Sequence, residues 1–192
     1  MRRLNDAAGV LRLKERQRVE KWMDQFEVNF PQLFFSVYYC TLDKRTNIRQ
    51  FGMWLLNHAA YEDVDIGRPN DGGIMLVVDL NTKVVSLSYG YLLDFFITEE
   101  ESFNILAKAH PHLLQGNHMK AMGLIIKRIS QLLKKRARKA RRKPEYYKRL
   151  AGVREQGGAE ALPRIRSKQK SKENKEGEAV GSVVAGDSEN KR

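Results

Sequence analysis

Pro69 to Glu100, PNDGGIMLVVDLNTKVVSLSYGYLLDFFITEE, is the stretch whose reading decides the fold. Ile74 to Leu80 and Val84 to Tyr89 are apolar runs of strand length, rich in β-branched residues. Asn81-Thr82 joins them too tightly for anything but an antiparallel hairpin. Such a hairpin returns the chain to where it began, so its two outer ends lie side by side. Asp71-Gly72-Gly73 and Gly90-Tyr91 therefore meet at one edge, with Asp94 and Glu99-Glu100-Glu101 close behind.

Upstream, Leu33 to Leu42 (LFFSVYYCTL) reads as a strand buried on both faces. Between it and the hairpin, Thr46 or Asn47 can cap a helix running to Ala60, with Ile48, Phe51, Gly52, Leu55 and Ala59 inward. A helix between two strands predicts a crossover joining parallel neighbours, with the usual right hand. The sheet is then mixed. A first helix is expected up to about Val28, with Val19, Trp22, Met23 and Phe26 on its apolar face and Phe30-Pro31 as its stop. Downstream, Thr98 caps a helix with three acids in its first turn, and His110-Pro111 is expected to end it. A last helix follows Gly116-Asn117, with Met119, Met122, Ile126, Ile129 and Leu133 on one side. Trp54, Trp22 and the tyrosines of the first strand are expected in the core. The fold class is α/β: a sandwich with a small mixed β-sheet flanked by helices over residues 3–135, followed by a basic, mostly disordered tail over 136–192.

The 192 residues carry a net charge of +12, unevenly spread. Met1 to Leu133 holds 16 Lys/Arg against 15 Asp/Glu, whereas the remainder holds 19 against 8. Lys134, Lys135, Arg136, Arg138, Lys139, Arg141, Arg142 and Lys143 form an acid-free run. It suits three fates: anionic lipid headgroups, non-specific nucleic-acid phosphates, or plain solvation. Beyond Pro144, Gly, Ser, Lys and Glu dominate, and such a segment cannot offset its ordering entropy. No apolar run reaches the ~18 residues of a membrane span. Met1-Arg2-Arg3 leads straight into polar Asn5-Asp6, without the apolar core of a signal peptide. The expected location is the cytoplasmic face of a membrane, unless an export segment precedes this start.

The lone Cys40 falls within a buried strand and reads as a small hydrophobe. Four residues separate it from Arg45, whereas the phosphatase loop that pairs Cys with Arg needs five. His58, His110, His112 and His118 have no metal-binding spacing. Asp71, Asp94, Glu99 and Asp65 can supply oxygen ligands to a hard cation, with glycines turning carbonyls inward. The same residues can equally shape turns and cap a helix. Arg68 is the one cation beside this acidic loop.

Four stretches, NDAAGVL (5–11), NDGGIMLVVD (70–79), GYLLDFFITEE (90–100) and QGNHMKAMGL (115–124), together resemble the TPM domain, a family of bacterial secreted or membrane-anchored proteins and thylakoid-lumen proteins. NDAAGVL, with Asp6 and Gly9, is similar to the family's Asp-x-Ala-Gly-x-Leu opening. NDGGIMLVVD matches its Asp-Asn-Gly-strand pattern at Asp71 and Gly73, with Gly72 in place of Asn. GYLLDFFITEE matches Gly-Tyr-Gly-Leu-Glu at Gly90 and Tyr91, with Leu92 for the second Gly, Asp94 for Glu, and Glu99 for the later Asp. QGNHMKAMGL is similar to the family's Gly-Asp-Tyr stretch at Gly116, departing at Asn117-His118. The likeness spans residues 4–133.

It implies an α/β sandwich and loops that bind calcium or another divalent cation. It also implies either an accessory or maintenance role at a membrane complex or acid-phosphatase activity. The expectation is a non-catalytic accessory module at a membrane surface or membrane-protein complex, its protein partner unspecified. A low-selectivity, metal-dependent acid phosphatase is the alternative. No nucleotide or organic cofactor is expected.

Overall fold

The structure, a computed structural model, describes residues 1–65 and 67–145. In chain order it contains β1 (Leu4–Asp6), α1 (Leu13–Asn29), β2 (Phe34–Cys40), α2 (Ile48–His58), β3 (Gly73–Asp79), β4 (Val84–Tyr89), α3 (Glu99–Leu114) and α4 (His118–Arg142). The four strands form one sheet in the order β1-β2-β3-β4. The first three run parallel, and β4 returns antiparallel, with Ile74 opposite Tyr89 and Asp79 opposite Val84. The mixed sheet is the one the hairpin and crossover predict.

Strand alternation divides the core into two. Phe35, Val37, Tyr39, Ile74, Leu76, Val78 and Leu87 face one side and pack against α1, α3 and α4. Phe34, Cys40, Met75 and Val77 face the other, where α2 is the one helix among the described residues, packing mainly through Leu56 with Ile48, Phe51 and Leu55 beside it. The result is three layers, thick on one face and thin on the other. Because α1 and α2 lie on opposite faces while both connections step the same way across the sheet, the two crossovers have opposite hands. Only one of them can have the usual right hand. The thin layer also leaves Trp54 at the rim. It is 55% exposed, not in the core, and stacks on His58 with ring centroids 5.3 Å apart.

Local chemistry fixes the helix starts. The Asn47 side chain accepts from the backbone N–H groups of Arg49 and Gln50, so Asn47, not Thr46, caps α2. Thr98 and Glu101 form a reciprocal capping box at α3. That helix does not stop at His110-Pro111. Pro111 lies inside it, and the helix closes at Leu114 before Gly116, whose φ is +74°. A proline near a helix's C-terminus removes one hydrogen bond without preventing another turn.

The link between β3 and β4 is also longer than Asn81-Thr82. It takes in Leu80 to Lys83, with Lys83 at φ 58°. β1 was not expected, since three residues are too few to show alternation. Finally, α4 is a single helix of 25 residues that runs through the basic run as far as Arg142. The first residues assigned to the tail are therefore helical. The disorder expected further on falls on residues 146–192, outside the described residues.

Candidate functional site

Two short 3-10 turns guard the open end of the hairpin: Asn70–Gly72 before β3 and Tyr91–Leu93 after β4. Gly90 N–H donates to the Gly73 carbonyl at 2.9 Å, which closes the hairpin's mouth. The turns touch backbone to backbone. A Cβ on Gly90 would lie 2.3 Å from the Asp71 carbonyl oxygen and 2.6 Å from that of Asn70. At Gly73 a Cβ would meet Leu56 Cδ1 at 2.6 Å and Phe34 Cζ at 2.7 Å. Close approach is thus sufficient reason for glycine at both positions. Tyr91 and Leu92, in the second turn, are 62% and 47% exposed.

The juxtaposition predicted for the hairpin ends is present in the backbone. The acidic side chains are a different matter. Asp71, Asp94, Glu99 and Asp65 are all exposed. Glu99 pairs with Arg49 across to α2. Asp65 Oδ1 accepts the Gly67 N–H at 2.9 Å and so shapes its own loop. Among the described residues, no three His, Cys, Asp or Glu side chains gather to hold a metal ion. Arg68 does not face a substrate position, because its Nη1 is 2.7 Å from Glu27 Oε2. Glu27 also holds Arg3, which reaches Asp24 and Asp63, so Asp63 and Arg68 are both tied to α1 through one network.

The remaining motif positions have structural duties. Asp6 Oδ1 and Oδ2 accept the N–H groups of Val10 (3.1 Å) and Leu11 (2.8 Å), folding the turn before α1 with Gly9 at φ +66°. Cys40 is buried, and burial, aided by the charge of Asp79, pushes its thiol up to about 11, far from a nucleophile's range.

Sequence reasoning passed over three features. Asp79 is 2% exposed, and its carboxylate accepts the N–H groups of Leu42 (2.9 Å), Asn81 (3.1 Å) and Thr82 (3.3 Å) and the Thr82 hydroxyl. Burial alone would raise its pKa; the bonds from Thr82, Leu42 and Asn81 outweigh that and hold it below the ordinary Asp value. A carboxylate ending a strand before Asn-Thr was a legible turn signal. Next, the Tyr39 hydroxyl and His118 Nδ1 are buried without a hydrogen-bond partner among the described residues, their rings edge to face at 5.4 Å. Burial lowers the His118 pKa, and the charges of Asp6 and Glu15 oppose this in part. Last, Arg136 is not a tail residue in character. Its Nη2 is 2.7 Å from Glu101 Oε1, which pins α4 to the first turn of α3. Lys134, Lys135, Arg138, Lys139, Arg141, Arg142 and Lys143 are exposed around it.

A four-stranded mixed sheet between unequal helical layers, with glycine-lined turns at a hairpin mouth, defines a small α/β domain. The chain belongs to the TPM domain family, which it matches over residues 4–132. Solved structures agree on the fold. The N-terminal domain of a P. gingivalis protein is 18% identical, covering 69% of this chain and 82% of that one, with a TM-score of 0.56. The BA42 protein of the psychrophilic bacterium Bizionia argentinensis is 12% identical, covering 65% and 82%, with a TM-score of 0.54. The N-terminal domain of the cg2496 protein of Corynebacterium glutamicum is 10% identical, covering 68% and 79%, with a TM-score of 0.52. No curated protein matches significantly. Among the described residues, no helix is long and apolar enough to cross a membrane.

Proposed function

We propose that the chain is a non-catalytic accessory module that attaches to an anionic membrane face, with a weak divalent-cation position at the hairpin mouth. The observation that carries this reading is the continuity of α4. Leu133 is buried in the core, Arg136 is fastened to Glu101, and the helix goes on to Arg142. The basic residues are therefore displayed on a stiff element. A stiff element forgoes little conformational entropy when it binds, and each Lys or Arg near an anionic surface contributes ~1 kcal/mol. Catalysis has less support. A phosphatase needs a free cation for the phosphoryl oxygens, and Arg68 is held by Glu27.

Sedimentation of the full chain with vesicles of phosphatidylcholine, with and without phosphatidylserine, tests the reading. Binding is expected only with phosphatidylserine and should weaken as salt rises. Equal binding to both vesicles, or to neither, would end it. Hydrolysis of a chromogenic phosphate ester that disappears in Asp71→Ala would restore the enzyme.

A further inference from the structure

The basic character of α4 does not begin at Lys134. Its 25 residues, HMKAMGLIIKRISQLLKKRARKARR, include ten Lys/Arg and no acid. Ala121, Met122, Ile125, Ile126, Ile129 and Leu133 face the core. Lys120, Lys127, Lys134 and Arg141 follow one another at seven-residue steps, as do Arg128, Lys135 and Arg142, and all seven are exposed. Seven residues are nearly two helical turns, so each set stands in a row that drifts only ~20° per step. Arg138 lies between the rows. At 1.5 Å per residue the first row is ~32 Å long.

One arginine of α1 lies beside these rows. A Cβ on Gly123 would lie 3.0 Å from Trp22 Cη2, so the two helices meet closely there. Arg18 is exposed and sits over the Trp22 ring at 5.4 Å. Of the acids in the first turn of α3, Glu101 is paired with Arg136 and Glu99 with Arg49.

We infer that the exposed face of α4 from Lys120 to Arg142, with Arg18 of α1, is one flat docking surface that lies lengthwise on an anionic lipid bilayer. This inference rests on the membrane reading above and extends its contact from the end of α4 back along the packed part of that helix and onto α1. Shape favours a bilayer over nucleic acid. A B-DNA major groove is ~12 Å wide and admits one helix of ~10–12 Å diameter. α4 packs against both α1 and α3, so the part of the helix held between them presents one face and cannot enter a groove whole. A single strand would need aromatic platforms, and α4 has no Phe, Tyr or Trp. A plane of headgroups asks only for a straight row of cations.

The test uses full-length chains and vesicles containing phosphatidylserine. In K120Q/K127Q/R128Q the affinity should fall roughly a hundredfold, about fivefold for each charge removed. The control K44Q/R45Q, on the loop leading into α2, should lose less than about twofold, the remainder expected of long-range charge alone. Equal loss per charge in the two variants would mean that net charge acts rather than a surface, and would overturn the inference. Were the triple variant unaffected while glutamines at the eight basic positions of 134–143 abolished binding, the contact would be the last turns of α4 alone, and a surface reaching back to Lys120 would be overturned. The membrane reading would then stand without the extended surface. Failure of the unmodified chain to bind these vesicles would remove both. Tighter binding to duplex DNA than to vesicles at the same salt would replace lipid with nucleic acid.

Discussion

Asp71 and Asp79 sit at the two ends of β3, and the chain treats them differently. Asp79 ends the strand inside the protein, its carboxylate surrounded by three backbone N–H groups and a threonine hydroxyl. Asp71 lies exposed in the turn before the strand, where its carbonyl, rather than its carboxylate, abuts Gly90. At the far end the side chain builds the turn. At the mouth the backbone builds it, and the carboxylate is left facing solvent. An acid beside a turn is therefore spent when the turn needs its oxygens and available when glycines close the chain without it.

The sharpest way to break this comparison is at Gly90. Gly90→Ala places a methyl 2.3 Å from a backbone oxygen that no rotamer change can move aside. The two turns must separate, and a loss of about 3 kcal/mol or more is expected in chemical denaturation. A loss below about 1 kcal/mol would show that the mouth is loosely closed. Next in size, Asp79→Ala strands three N–H groups at the far end and should cost on the order of 2 kcal/mol. The pH dependence carries the signature of that carboxylate. Its folded pKa is depressed, so its contribution is present above the unfolded value and is lost as pH falls through the lower folded value. The wild type should thus shed stability below about pH 4, and Asp79→Ala should shed less over the same range. Parallel acid limbs in the two proteins would remove Asp79 from this role.

What was legible in the sequence follows the same division. The hairpin, the buried β2 and the capped starts of α2 and α3 rest on periodicity and on polar residues next to their own backbone, both local signals. The meeting of the hairpin's ends was legible too, because an antiparallel turn dictates it. The partners of the side chains were not. Glu99 turned to Arg49 and Arg68 to Glu27, each across a long stretch of chain, and no local pattern announces such pairs. Trp54 lies at the rim because α2 is the one helix among the described residues on its face of the sheet, a property of the layers rather than of its neighbours in sequence. The basic run looked like a tail because the apolar period ends at Leu133. Helix propensity in Lys, Arg and Ala carries α4 onward without it.

The smallest effect concerns calcium at the mouth. A tight site assembles six to eight oxygens, several from carboxylates already in place. Here Asp71 and Asp94 are the exposed acids nearest the two turns, and recruiting Glu99 would mean taking it from Arg49. Affinity in the millimolar range follows, so 10 mM calcium should stabilise the fold by only about 1 kcal/mol, a rise of a few degrees in Tm. Asp71→Asn should abolish the rise while leaving the metal-free Tm nearly unchanged. Arg49→Gln should enlarge it, because Glu99 is then released to the cation. Should Arg49→Gln leave the calcium response as it was, Glu99 is no ligand. A Tm indifferent to calcium in all three proteins would leave the mouth as a backbone closure whose acids bind nothing.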